Sequence, residues 1–222
     1  MKRFLKPGNL VFDIGGNCGE WSQYALKTEP SVQIMAFEPV PSVFERFRTL
    51  MQSQNNIRIF NYALSDQKGE AAFHYYLEAD ALSGFYYREV LRGELAEPQL
   101  ILVQQETLDD FCAGNEISKI DFIKIDTEGA EWRILQGAKN LLKNHQIRAV
   151  QFEYGGCYID AKTSLKQVIR FLTDNHYVVF RIIPSGLIHI AVWKGSLENF
   201  DLSNYFAICK EDMPGYELVR FK

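Results

Sequence analysis

The sequence has no long hydrophobic run: nothing in its 222 residues approaches the ~18 continuous apolar positions of a membrane-spanning helix. Among its four cysteines, Cys18, Cys112, Cys157 and Cys209, there is no C-x-x-C pair and none of the tight spacing of a disulfide framework or zinc knuckle, so they read as reduced, buried thiols. Basic runs are missing too. The 24 Lys and Arg are scattered among 28 Asp and Glu, for a formal net charge of -4, which argues against nucleic acid or an anionic membrane as the main partner. Residues 1–7 are basic and polar with no apolar segment behind them, so no cleaved secretory signal is expected. No repeat, low-complexity tract or linker divides the chain. These absences lead us to expect one cytoplasmic domain over residues 1–222, without a transmembrane segment, whose oligomeric state the sequence does not give.

What is present is a chain 47% hydrophobic and 14% aromatic, enough to bury a substantial core. Short apolar runs at 10–14, 33–37, 57–62, 120–125, 148–152, 178–183 and 188–193 have the length and composition of buried strands. Between them, residues 20–27, 43–52, 131–143 and 165–175 carry apolar positions at helical spacing, as in Trp132, Leu135, Ala138, Leu141 and Leu142. Pro39 and Pro41 with Ser42 read as the stop of one strand and the cap of the next helix. Such alternation implies parallel strands joined by right-handed crossovers, hence a doubly wound α/β sheet. Only Pro184, Ser185, Gly186 and Leu187 separate the last two strand candidates, too few for a crossover, so the last strand is expected to be antiparallel. Residues 75–97 break the alternation with Tyr75, Tyr76, Phe85, Tyr86 and Tyr87 and no clean period, and read as an insertion covering the site.

The stretch VFDIGGNCG at 11–19 places Asp13, Gly15, Asn17 and Gly19 two residues apart, at the first strand-to-helix turn, where an open α/β sheet brings backbone N–H groups to its ligand. Glycines there let a ligand approach the main chain. The spacing differs from the G-x-G-x-x-G of dinucleotide sites. Glu38 in AFEP closes the second strand, where a carboxylate can accept hydrogen bonds from two adjacent ribose hydroxyls, a need common to dinucleotide and S-adenosylmethionine sites. Tyr158 and Lys162 have the spacing of short-chain dehydrogenases, but no serine stands about a dozen residues upstream and the segment starts in the Gly155-Gly156 loop. An NAD(P)-dependent dehydrogenase is therefore carried only as an alternative.

VFDIGGNCG, AFEP, ALSD at 63–66 followed by Gly69, and DFIKIDTEGAEWRILQGA at 121–138 together resemble the FkbM-type methyltransferases, in order and over about three quarters of the chain. Gly16, where that family often has alanine, is a mild departure. The resemblance implies a class I, Rossmann-like methyltransferase fold of seven strands, S-adenosylmethionine as methyl donor, and a hydroxyl of a sugar, polysaccharide, glycolipid or related natural product as acceptor. Cofactor contacts are then expected from Asp13, Gly15, Asn17, Gly19 and Asp126, from Glu38 on the ribose, and from Ala63 and Ser65 near the adenine. A catalytically silent, cofactor-binding or interaction module of the same fold is the other alternative.

Methyl transfer to a hydroxyl needs near-collinear positioning, exclusion of water and a way for the proton to leave. Asp126 ends the strand FIKID and Glu153 ends AVQFE, so neighbouring strands would project both acids at one rim, with Glu128 just beyond. These three are the catalytic candidates. Glu131 reads as an acid favouring a helix start, and His74 and His189 as structural. Tyr154 is left open between core and acceptor contact, and Lys124 reads as pairing with a neighbouring acid. One carboxylate can take the proton directly, or the acids can jointly hold a divalent cation; the base is favoured because hard cations need several oxygen ligands, and no metal site is assigned. The sequence has no N-P-P-Y or D-P-P-Y signature, which favours oxygen over nitrogen as acceptor.

Overall fold

The computed structural model describes residues 4–216; the first three residues of the basic start, and residues 217–222, lie outside it. β1 (Leu10–Ile14) runs into α1 (Glu20–Thr28), followed by β2 (Gln33–Phe37), α2 (Pro41–Leu50) and β3 (Ile57–Phe60). Next come β4 (Ala63–Ser65), β5 (Gly69–Tyr75), β6 (Gln99–Thr107), α3 (Leu108–Gly114), β7 (Phe122–Ile125), α4 (Glu131–Gly137) and α5 (Lys139–Lys143). The remainder is β8 (Ala149–Tyr154), α6 (Cys157–Asp160), α7 (Leu165–Asp174), β9 (Tyr177–Ile183), β10 (Gly186–His189) and β11 (Ser203–Cys209).

The main sheet has the order β10-β9-β11-β8-β7-β1-β2-β3. Strands β3, β2, β1, β7 and β8 are mutually parallel, and β11 lies antiparallel between β8 and β9. This is the doubly wound class I arrangement expected, with β10 added at the edge. The sequence reading placed the antiparallel strand at 188–193. Residues 186–189 do form an antiparallel hairpin with β9, but the antiparallel strand inside the sheet is β11, formed by SNYFAIC, which that reading did not identify. β1 and β7 are apolar except for Asp13 and Lys124 because both faces of the sheet are covered. On one face Phe37 and Phe60 meet the Phe111 ring of α3 edge-on at 5.0 and 5.1 Å; on the other, Trp21 stacks on Phe122 at 6.0 Å.

Two helix expectations are corrected by side-chain geometry. Ser42 does not cap α2: the helix starts at Pro41, a position where proline costs no hydrogen bond, and the Ser42 hydroxyl instead lies 3.1 Å from that of Tyr75. The helix expected over 131–143 is two, α4 and α5, because the Asp109 carboxylate accepts from the backbone N–H of Asn140 and of Leu141, each at 3.0 Å, and so begins a new helix there. α7 starts on a capping box between Ser164 and Gln167.

A second sheet, β4-β6-β5, was not legible as such. Its β5–β6 pair is antiparallel, and the long connection between the two strands, residues 76–98, holds most of the aperiodic 75–97 segment. No helix among the described residues is long and apolar enough to cross a membrane.

Candidate active site

Strand register builds the site. Ile14 pairs with Phe37 and with Ile125, and Ile125 pairs with Phe152, so the next residue on each strand, Glu38, Gly15, Asp126 and Glu153, stands in one row at the carboxyl rim. All four line a cleft of about 510 Å³. From the other side the 76–98 connection closes it with Asp80, Ala81, Ser83 and Phe85.

The first turn is held by the chain itself. The N–H groups of Gly15 and Gly16 both donate to the Phe37 carbonyl, at 3.1 and 2.9 Å. Gly15 has φ +76°, and a Cβ there would lie 1.9 Å from the Asp126 carbonyl oxygen; at Gly19, φ +89°, it would lie 2.3 Å from the Phe47 ring. Both positions therefore need glycine for close approach of chain to chain, where the sequence reading attributed them to approach of a ligand. Asn17, left-handed at φ 45°, donates its N–H to Glu38 Oε2 at 3.0 Å and its side-chain amide to Asp80 Oδ1 at 3.2 Å.

Glu38 is nearly buried, with Oε1 also accepting from the Val40 N–H at 2.9 Å. Burial pushes its carboxyl up to about 7, against the pull of those two backbone donors. Each oxygen keeps a lone pair for a further donor.

At the far end of the cleft, Asp126, Glu128 and Glu153 each offer an oxygen within 4.8 Å of the others. Burial first, then the charges of Asp126, Glu128 and Glu131, push Glu153 up to about 8. Glu128, left-handed at φ 54°, pairs with Arg88, a buried residue of the 76–98 connection whose Nε also lies 3.4 Å from Asp160 Oδ2. Burial raises Glu128 as well, with Arg88 opposing. Glu131 is fully buried and accepts from the Thr127 N–H at 2.8 Å and hydroxyl at 2.9 Å, which orders the turn after β7 and fits its reading as a helix-start acid.

Several expected contacts stand elsewhere. Asp13 is fully buried behind the cleft wall, accepting from the Ser22 hydroxyl at 2.7 Å and pairing with Lys124 at 3.2 Å. Lys124 also donates to the Gly15 carbonyl at 2.8 Å, so Asp13 and Lys124 brace the first turn from below. Gly19 and Ser65 are likewise absent from the cleft lining, which takes Ala63 and Leu64 from the 63–66 stretch. Tyr154 belongs to the core: its side chain is buried, and its hydroxyl accepts from the Phe200 N–H at 2.9 Å. Tyr158, the tyrosine of the dehydrogenase alternative, is also buried and donates to the Glu153 carbonyl at 3.1 Å. His74 lies in β5, exchanging backbone bonds with Gly84, and its ring meets Tyr87 edge-on at 5.8 Å. Residues that sequence reasoning missed are Arg46, ion-paired with Asp80 across the cleft mouth, and Arg88. Both salt bridges involve the aperiodic connection, where no pattern signals a partner.

A family model for the methyltransferase FkbM domain matches residues 13–179. The chain is 32% identical over 160 residues to the 2-O-methyltransferase NoeI of Sinorhizobium fredii, covering 67% of this chain and 64% of that protein. It is 32% identical over 160 residues to the 31-O-demethyl-FK506 methyltransferase FkbM of Streptomyces tacrolimicus, covering 61% and 62%. To the hexuronic acid methyltransferase AglP of Haloferax volcanii it is 22% identical over 148 residues, covering 66% and 57%. The matched region is thus less than two thirds of the length of each relative.

Proposed function

The chain belongs to the FkbM methyltransferase family, and on that premise we propose that it transfers a methyl group from S-adenosylmethionine to a hydroxyl oxygen of a sugar, glycolipid or related natural product. The cleft residues fit that donor. Glu38 presents two oxygens, each oriented by one backbone N–H and each free to accept from a ribose hydroxyl. A volume of about 510 Å³ lies within the range of small-molecule sites. The bound cofactor supplies an electrophilic methyl group.

The observation that carries the reading is the placement of Glu153 beside Asp126 and Glu128 at the rim of that cleft, where burial and those two charges push its carboxyl up to about 8. An ordinary carboxylate is a weak base toward a hydroxyl; one lifted this far holds a proton several powers of ten more tightly and is better matched to the task near neutral pH. In the proposed step Glu153 takes the hydroxyl proton, while Asp126 and Glu128 supply the negative field that keeps Glu153 basic. Phe73 and Phe85 line the cleft and help exclude water. A second reading rests on the same three carboxylates: with oxygens within 4.8 Å of one another, they are close enough to share a divalent cation that acidifies the hydroxyl.

We read residues 1–222 as one methyltransferase domain whose 76–98 connection covers the acceptor. Four unbridged cysteines suit a reducing compartment, and the cytoplasm is the location we propose. The test is incubation with methyl-labelled S-adenosylmethionine and a panel of glycans and glycolipids, with the label located by mass spectrometry. Methyl ether products are expected. Label on nitrogen or carbon, or binding of S-adenosylhomocysteine with no transfer to any acceptor, would count against the proposal, the latter favouring a silent module.

A further inference from the structure

Cys209 ends β11, where it pairs with Tyr177 at the start of β9, while Ile208 beside it pairs with Ala149 at the start of β8. This is the edge of the sheet opposite the cleft. His145, left-handed at φ 54°, follows α5 there and sets Nδ1 3.3 Å from Glu211 Oε1. One nitrogen of His145, Sγ of Cys209 and one carboxylate oxygen of Glu211 all lie within 4.8 Å of one another. The other ring nitrogen of His145, Nε2, is buried and has no hydrogen-bond partner among the described residues.

We propose that His145, Cys209 and Glu211 form a binding site for one borderline-soft divalent metal ion, with Zn²⁺ the best match. The donor set selects the metal: thiolate and imidazole suit Zn²⁺ or Co²⁺, whereas Mg²⁺ and Ca²⁺ require oxygen ligands. Three protein ligands leave a fourth position for solvent in a tetrahedral shell. Zinc bonds of ~2.0 to 2.3 Å place ligand atoms ~3.5 Å apart, so any ligand pair that lies as far as 4.8 Å apart must draw closer. Glu211 can supply that, since its side chain is 76% exposed. The ion clips the segment after β11 to the turn between α5 and β8, so its binding free energy adds to the stability of the fold. Cys209 and Glu211 stand two residues apart at the end of β11, and the fold brings the sequence-distant His145 beside them.

The test uses the full chain freed of metal by a chelator and titrated with Co²⁺ as a spectroscopic probe. The expected result is one Co²⁺ per chain with a thiolate charge-transfer band, displaced by Zn²⁺. The band should vanish in Cys209→Ser, and affinity should fall at least ~10-fold in His145→Gln and Glu211→Gln. Zn²⁺ should raise the melting temperature of the parent and leave methyl transfer unchanged. No band in the folded parent, or equal stoichiometry and affinity in all variants, would overturn the site and leave a plain His145–Glu211 pair. If Cys209→Ser does not fold, the exposed Glu211→Gln decides between the two.

Discussion

Glu38 and Glu153 were legible in the sequence because each follows an apolar strand run, and the register of those strands alone puts them on one rim. Asp13 was misplaced for a physical reason: it points to the same side as Gly15 but two residues before the rim, so it lies beneath the turn, and its burial with Lys124 depends on β7, over a hundred residues away. The folded-state pKa of Glu38 is raised to about 7, and ribose hydroxyls can donate to both of its oxygens only when it is ionised. Cofactor affinity should therefore weaken as pH falls below about 7, by up to ~10-fold per pH unit. In Glu38→Gln affinity should be lower by ~1 to 3 kcal/mol and flat with pH; calorimetry between pH 5.5 and 8 that finds the same slope in both proteins removes Glu38 from the ribose. Arg88 acts one step back. Without its charge, Glu128 faces Glu153 unneutralised, so Arg88→Gln should move the midpoint of the pH–rate profile to higher pH. An unmoved midpoint would leave Arg88 a merely structural anchor.

The parallel elements were read within a few residues because buried strands and amphipathic helices carry their own periods. β5 and β6 were not, since one face of their sheet is open and Leu100 and Leu102 are exposed at positions that a pattern reading assigns to a core. The aperiodic connection between them is fastened by ion pairs at both ends of the cleft, Arg46–Asp80 and Arg88–Glu128. Replacing residues 77–97 by a short turn joining β5 to β6 should abolish transfer and spare cofactor affinity; lost affinity in calorimetry would show that the Asn17–Asp80 contact shapes the cofactor end as well. Helix α4 gives a sharper packing test. Gly137 is helical, where alanine is normally the better residue, yet a Cβ there would lie 1.9 Å from the Ser65 carbonyl oxygen. Gly137→Ala should destabilise the protein by ~1 to 3 kcal/mol in chemical denaturation, the cost of forcing β4 away from α4.

Across the whole molecule, Glu38 and Glu131 are raised to about 7 and Glu153 to about 8, all from an ordinary 4.5 and chiefly by burial. Between pH 4.5 and 8 the folded state holds more protons at these sites than the unfolded chain does, so stability falls as pH rises through that window. Asp66 and Asp80, where burial is outweighed by Arg133 and Arg46, work in the opposite sense, but below that window. The melting temperature should thus be higher near pH 5 than near pH 8, and a rise over that range would contradict the burial assigned to the three acids. The same Glu153 proton is the one on which the proposed chemistry turns. The most direct measurement is the pH dependence of methyl transfer to an identified acceptor, in excess EDTA, for the parent and for Glu153→Gln. The account predicts a parent rate that climbs with pH to a plateau above about 8, is unaffected by the chelator, and drops by ~10² to 10⁴ in Glu153→Gln. A parent rate lost to EDTA and restored by Mg²⁺ or Mn²⁺, or a Glu153→Gln protein as fast as the parent, would contradict it.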